Sequence, residues 1–500
     1  MNKMKFIAFV AVTALVAVIA TACQGAFAQA QPTQSATPVI STTTPATSTT
    51  SVKYVGKFSL TPSAGLPGAT VKAIGTGFEP NSELQIIWQG INGSWNVNTD
   101  NGTFNGRQFQ DDLQPLTTVR ADTAGQFEAT FTVPAGFGFE HDVRVINQDG
   151  VIENQAAFEV TMQASISASS GPAGSPITIK LNGVGWRALE NSWVVLYDNK
   201  FTGWMSSVTT NGLARATIPA AGAPGKHIIQ ILHASATFPY MNMQQSPQPD
   251  RPTWTFEYTI TDGPAVLPLP AQSQSLTIEP GTEPASIGQP VLWTDPLSAI
   301  VGTPVTLKGS GLTPGVQVDL TWFRMAGSRV SGKGYTETSV PLGTVTVDAK
   351  GEIEFPFNAL DDLGGSHRIE ADINGQKVAE TQFTITPSAF EIEPASGPAG
   401  TTITIHLKGV GWTQTANIYT LLYDNAYVGY ACGFNSQGDV TVYLPAAGEP
   451  GWHFIDLYPG IYQGQDMAQV NDFRIPQLTA IDDHPGEKLP PFHFAFLITG

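Results

Sequence analysis

Cysteine is nearly absent: there are two in 500 residues, so no disulfide framework holds this chain together. Charge is scarce as well. Charged residues make up 13%, against roughly 25% in an ordinary soluble domain, and helical proteins need more Glu, Lys and Arg than that on their wet faces. The charge that exists is lopsided, with 24 basic and 41 acidic residues and a net −17. That balance argues against nucleic acid, whose phosphates call for clustered Lys and Arg. The eight His are scattered without an i, i+4 pair, so no metal site is expected, and no cofactor is expected either. No Gly-x-Ser-x-Gly elbow is present, which removes one common nucleophile motif. Beyond residue 20 no stretch stays apolar for the roughly 20 residues of a membrane span. Gly and Pro, by contrast, number 50 and 37. A chain so rich in turn formers and so poor in helix-surface residues predicts an all-β protein of many short strands.

The first 22 residues read as an address. Lys3 and Lys5 form a positive n-region and Phe6 to Ala20 is uninterrupted apolar sequence, the pattern of a secretory signal. Ile19-Ala20-Thr21-Ala22-Cys23 resembles a bacterial lipobox, which implies cleavage before Cys23 and lipid on its thiol. Ala26-Phe27-Ala28 offers an ordinary cleavage site instead. The lipobox reading places the protein at the cell envelope, surface-exposed or secreted, with the membrane as its partner through Cys23. Residues 23–52 follow as a tether. From Gln29 to Val52, 12 of 24 residues are Ser or Thr and none is charged, so the segment cannot bury enough apolar surface to offset its ordering entropy.

The remainder is a duplication. Ser170–Trp186 and Ser396–Trp412 match at 13 of 17 positions at an offset of 226. The same offset relates Tyr197-Asp198-Asn199 to Tyr423-Asp424-Asn425, and Pro224-Gly225-x-His227 to Pro450-Gly451-x-His453. Further upstream the offset becomes 234, pairing Gly75-x-Gly77 with Gly309-x-Gly311 and Trp88 with Trp322. A loop between has therefore lost eight residues in the later copy. The repeat unit is a pair of unlike modules. Module 1 is predicted over 53–162 and module 2 over 163–262. A Pro-rich linker takes 263–275, then module 3 takes 276–387 and module 4 takes 388–500. Ile177-x-Ile179-x-Leu181 and Ile403-x-Ile405-x-Leu407 alternate with the strand period of two. Several short strands in about 100 residues, separated by turn signals, predict a β-sandwich for each module. Each pair would bury its own cores, so 53–262 and 276–500 are expected to fold separately.

The motif S-G-P-A-G-x-x-I-T-I-x-x-x-G-V-G-W at 170–186 and 396–412 resembles the opening of IPT/TIG-type bacterial immunoglobulin-like domains. Looser versions stand at Leu66-Pro67-Gly68…Gly75-Thr76-Gly77 and Val301-Gly302-Thr303…Gly309-Ser310-Gly311. The resemblance implies four tandem Ig-like sandwiches in two duplicated pairs. For function it implies a non-enzymatic surface role: binding, adhesion or structural spacing.

Two alternatives come from side chains. Seven of the 12 Tyr lie between 419 and 462. Tyr419, Tyr423, Tyr427, Tyr430, Tyr458 and Tyr462, with Trp452, Asp424 and Asn425, are the candidate ligand-binding residues. Flat rings beside Asn and Asp suit a glycan or a protein ligand, whereas buried rings would serve core packing. The other alternative is a hydrolase. Cys432, His453 and Asp424 mirror Ser206, His227 and Asp198 at the 226 offset, a nucleophile with base and orienting acid. Against that reading, each Asp sits in an Asp-Asn hairpin turn, where it is expected to cap its own backbone. Cys432 follows Val428-Gly429-Tyr430-Ala431 and is expected to be buried and unreactive. No catalytic residue is therefore assigned.

Overall fold

The computed structural model describes residues 52–98, 102–235, 238–246, 250–285, 288–328, 334–434, 436–462 and 474–500. The expected signal peptide, Cys23 and the tether up to Ser51 lie outside the described residues.

Four sandwiches follow one another, each with a three-stranded sheet against a larger one. In the first, Lys57–Thr61, Thr70–Thr76 and Phe127–Thr132 form the small sheet. The larger sheet runs Ala64–Gly65, Ile152–Val160, Phe139–Asn147, Glu83–Asn98, Thr103–Arg120. The short strand at one edge pairs parallel with the last strand, and this recurs in all four sandwiches. The predicted alternation is realised: Ile177, Ile179 and Leu181 of strand Pro176–Asn182 point into the second core and Ile403, Ile405 and Leu407 into the fourth. The fold is all-β, a tandem array of Ig-like β-sandwiches.

The array is not a string of separate beads. Leu422, Tyr458 and Leu478 of the fourth sandwich join the core of the second. A further cluster draws Phe104 from the first sandwich, Val194, Trp204 and Ala234 from the second, and Ile461 and Ile475 from the fourth. Here Trp204 N–H donates to the Pro476 carbonyl at 2.9 Å and Leu478 N–H donates to the Trp204 carbonyl at 2.9 Å. These shared cores and hydrogen bonds run against the expectation that 53–262 and 276–500 fold separately. The strands Trp193–Tyr197 and Ile418–Tyr423 are buried on both faces because each turns one face to its own core and the other to a neighbour. The eight residues that distinguish the two copies have a use. They lengthen the hairpin Glu83–Asn98 with Thr103–Arg120 beyond its counterpart Gln317–Ser328 with Gly334–Thr346. The longer hairpin reaches the fourth sandwich, where Phe104 N–H donates to Gln414 Oε1 at 2.7 Å and Gln414 N–H donates to the Gly102 carbonyl at 2.9 Å.

The linker is also corrected, from a joint to a strap. Val266 N–H donates to the Ala173 carbonyl at 2.8 Å, and Ala271 N–H donates to Glu391 Oε1 at 2.7 Å. Ala271 is itself buried in the fourth core.

Candidate functional site

The duplicated His and Asp form real pairs. His453 Nδ1 lies 2.6 Å from Asp424 Oδ2 and His227 Nδ1 lies 2.7 Å from Asp198 Oδ2. Asp424 and Asn425 have φ of 48° and 59°, as Asp198 and Asn199 have 49° and 61°, the two positive values of a type I′ hairpin. From that turn the carboxylate does not cap its own backbone. It reaches the neighbouring strand, accepting the Phe454 N–H at 2.9 Å and the Ile228 N–H at 2.9 Å respectively. The second nitrogen of each ring meets a carbonyl, Glu449 at 2.9 Å and Ala223 at 2.8 Å. A Cβ added to Gly448 would stand 2.3 Å from the His453 ring, and one added to Gly222 would stand 2.6 Å from His227. The Gly, the His and the Asp-Asn turn thus recur together because they build one brace.

The brace does not belong to a triad. Cys432 pairs across from Ile418, whereas Asp424 follows Tyr423 at the far end of the same hairpin. Six strand positions at about 3.3 Å each put them roughly 20 Å apart. Ser206 follows Met205, which pairs with Trp193, again at the end away from Asp198. Ser206 is buried and its hydroxyl bonds Thr479 Oγ1 at 3.0 Å. Neither hydrolase set is assembled. Cys432 is nevertheless exposed, contrary to expectation. Among the described residues its strand is an edge of its sheet, and Val428, Tyr430 and Cys432 share the solvent side. Partial desolvation still raises the thiol pKa.

The Asp424 hydrogen bond raises the pKa of His453 above its ordinary 6.5. A raised folded-state pKa stabilises the protein fully below pH 6.5 and loses that contribution as pH climbs through the folded value. Asp424→Asn, which keeps an acceptor for Phe454 N–H, should therefore destabilise more at pH 6 than at pH 9. Urea midpoints of both proteins at the two pH values check this, and an equal loss at both would refute the linkage.

The aromatic cluster does not form one exposed surface. Tyr419 is buried in the fourth core and its hydroxyl donates to the Pro490 carbonyl at 3.0 Å. Tyr423 packs beside it, stacked on His453 with centroids 5.5 Å apart. Tyr458 and Asn425 are buried against the second sandwich, donating to the Thr217 and Pro219 carbonyls at 3.0 and 2.8 Å. Tyr427 packs on Phe201 of that sandwich, with its hydroxyl on the Arg474 carbonyl. The Arg474 guanidinium lies over Tyr430 and Tyr462 at 5.4 and 4.8 Å. Trp452 is half-buried. Tyr430 remains 42% exposed and Tyr443 71%, but they stand on different sheets of the sandwich. Of the seven tyrosines, Tyr427 and Tyr458 serve the interface with the second sandwich and Tyr419 and Tyr423 the fourth core, and Tyr419, Tyr458 and Asn425 are withdrawn as ligand contacts.

A different site emerges under the strap. A cleft of about 430 Å³ lies between the second sandwich, linker residues 266–269 and the fourth sandwich. Ile218, Pro219, Val266, Leu269, Phe454 and Phe494 supply apolar wall, and Asp456 and His493 are its ionisable groups. In size and character it fits a small-molecule site, which is commonly about 300–1,000 Å³ and apolar with few polar groups. Gly174 lets the strap close down, since a Cβ there would meet the Val266 carbonyl oxygen at 2.0 Å. Gln274 fastens the other end, its Nε2 donating to the His493 carbonyl at 2.8 Å while its Oε1 accepts the His493 N–H at 2.7 Å. Asp456 is 2% exposed. Its Oδ1 lies 2.6 Å from His493 Nδ1, and among the described residues its Oδ2 has no hydrogen-bond partner.

Sequence reasoning missed this pair. It was legible in the comparison of sister strands. Asp456 pairs with His493 where Gln230 pairs with Thr255 in the second sandwich. Unlike the turn His and Asp, these two are not part of the duplication.

No family model and no curated protein matches the chain. Among solved structures it is similar to native E. coli α2-macroglobulin, at 11% identity, TM-score 0.17, over 90% of this chain and 30% of that one. It is also similar to a protein described as membrane-anchored from Corynebacterium diphtheriae, at 12% identity and TM-score 0.18, covering 66% and 91% of the two chains. A third is an ICAM-5 D1–D4 ectodomain fragment, at 12% identity and TM-score 0.18, covering 87% and 98%. The chain spans less than a third of the length of the macroglobulin. At these TM-scores none of the three carries an argument about activity, ligand or partner.

Proposed function

We propose that this is an envelope-tethered binding protein, anchored through Cys23, in which packed Ig-like sandwiches hold one ligand cleft in a fixed shape. The observation that carries the binding half is Asp456, a buried carboxylate with one unpartnered oxygen in an apolar cleft. His493 holds Oδ1, but a second carboxylate oxygen buried without a donor is costly, so a group kept in that state and absent from the sister strand fits a ligand contact better than a structural one. The anchoring half rests on the charged n-region, the apolar run and Ala22-Cys23. Binding is tested with the neutral apolar fluorophore N-phenyl-1-naphthylamine. The intact chain should bind it saturably, and Leu269→Trp, which fills the cleft mouth from an exposed position, should weaken it at least fivefold. Absence of saturable binding overturns the cleft as a binding site. Anchoring is tested by detergent partition, where Cys23→Ser should leave the protein aqueous or unprocessed. A mature N-terminus at Gln29 overturns it.

A further inference from the structure

We infer that the cleft takes an amphiphilic organic ammonium: a hydrocarbon body against the strap and Phe454, and a cationic N–H donor on Asp456 Oδ2. The inference rests on the cleft being a binding site and adds the chemistry of what it binds.

The outward face of strand Gly451–Gly460 sets the arrangement. Ile455 and Leu457 point into the fourth core, so Phe454, Asp456 and Tyr458 alternate onto the other side, toward the second sandwich. Three things could satisfy the Asp456 carboxylate from that side. Tyr458 does not, because its hydroxyl is committed to the Thr217 carbonyl. Gln274 does not, because its amide is committed to the Leu269 and His493 backbones. His493 does, but only through Oδ1. Oδ2 is left with unused acceptor capacity, shielded from solvent on a residue that lines the cleft together with Pro, Leu, Val and Phe.

The choice of a cation over a neutral donor follows from energetics. Hydrogen bonds between ionised partners are about twice as strong as neutral ones, and a buried carboxylate gains most from a donor that also brings positive charge. An anionic ligand would meet the carboxylate with like charge, on a chain of net −17. The apolar wall excludes a bare metal ion, which requires several oxygen ligands, whereas only Asp456 offers a carboxylate here. An ammonium on a hydrocarbon body meets both demands at once.

The test compares three probes of closely similar shape on the intact chain by calorimetry: 3-phenylpropylammonium, 3-phenyl-1-propanol and 3-phenylpropionate. The ammonium should bind at least tenfold more tightly than the alcohol, and the carboxylate should not bind. Asp456→Asn should remove the preference for the ammonium while leaving the alcohol within threefold. If that variant fails to fold, Leu269→Lys serves instead. Leu269 is 69% exposed, so the change is tolerated, and an ammonium at the mouth should weaken the cationic probe at least tenfold more than it weakens the alcohol. Equal binding of ammonium and alcohol overturns the cation assignment while leaving the cleft a binding site. Failure of all three probes, together with failure of the neutral fluorophore, overturns the binding reading itself.

Discussion

Asp483→Ala should destabilise the protein by about 3–5 kcal/mol, because it strips a buried acceptor from several donors at once. Asp483 belongs to the fourth sandwich and is 1% exposed. Its Oδ1 accepts Trp95 Nε1–H from the first sandwich at 2.9 Å, and the Thr209 N–H and hydroxyl from the second at 2.9 and 2.7 Å. Its Oδ2 accepts the Val208 N–H at 2.7 Å. One carboxylate thus ties three sandwiches, beside the cluster that contains Trp204. Alanine leaves those donors desolvated and unpaired. Asp483→Asn should cost less, since one oxygen remains, but its amide N–H groups would face other donors. Urea denaturation followed by Trp fluorescence measures both, as Trp95 and Trp204 lie at the junction with rings 6.5 Å apart. A loss under about 1 kcal/mol for Asp483→Ala would show that the junction contributes little to stability.

Local structure was the legible part of this chain. Period-two alternation located strands such as Pro176–Asn182 and Thr402–Lys408, and the 226-residue offset located equivalent turns. These signals are local, so a linear reading captures them. The packing between sandwiches was written less openly. Val194-Val195-Leu196 and Ile418-Tyr419-Thr420-Leu421-Leu422 have no polar alternation, and that is the mark of a strand covered on both sides. The tyrosines of the fourth module looked like a surface because polar Asp and Asn stand beside them. In the folded chain Asp424 braces the neighbouring strand through Phe454 N–H and His453, Asn425 bonds the Pro219 carbonyl of the second sandwich, and Tyr458 bonds the Thr217 carbonyl beside it. The cleft was illegible for a further reason. Its walls come from residues near 174, 218, 266, 454 and 493, and nothing in a one-dimensional pattern brings five such stretches together. What betrays it is a difference between sisters, Asp456 and His493 in place of Gln230 and Thr255.

Expressed alone, residues 53–262 and 276–500 should each be poorly soluble or far less stable than the intact chain. Separation uncovers Val194, Trp204 and Ala234 on one side, and Leu422, Tyr458, Ile461, Ile475 and Leu478 on the other, all now buried. At roughly 1.5–3 kcal/mol per large side chain, the lost burial is on the order of 10 kcal/mol, comparable to the whole net stability of a typical domain. The buried polar contacts fail with it. Ser206 and Thr479, and Asn425 with the Pro219 carbonyl, each keep one partner in either half. An exposed apolar patch of this kind drives association, so the two halves produced together should copurify as a 1:1 complex that regains the stability of the intact chain. The complex should also bring Ile218 and Pro219 of one half back against Phe454 and Asp456 of the other, although the strap residues 263–275 belong to neither half. Size-exclusion chromatography and thermal melts of each half, alone and mixed, decide the matter. Two monomeric halves that melt cooperatively at the temperature of the intact protein would mean that the sandwiches are independent after all, and that a cleft built across them has no fixed shape.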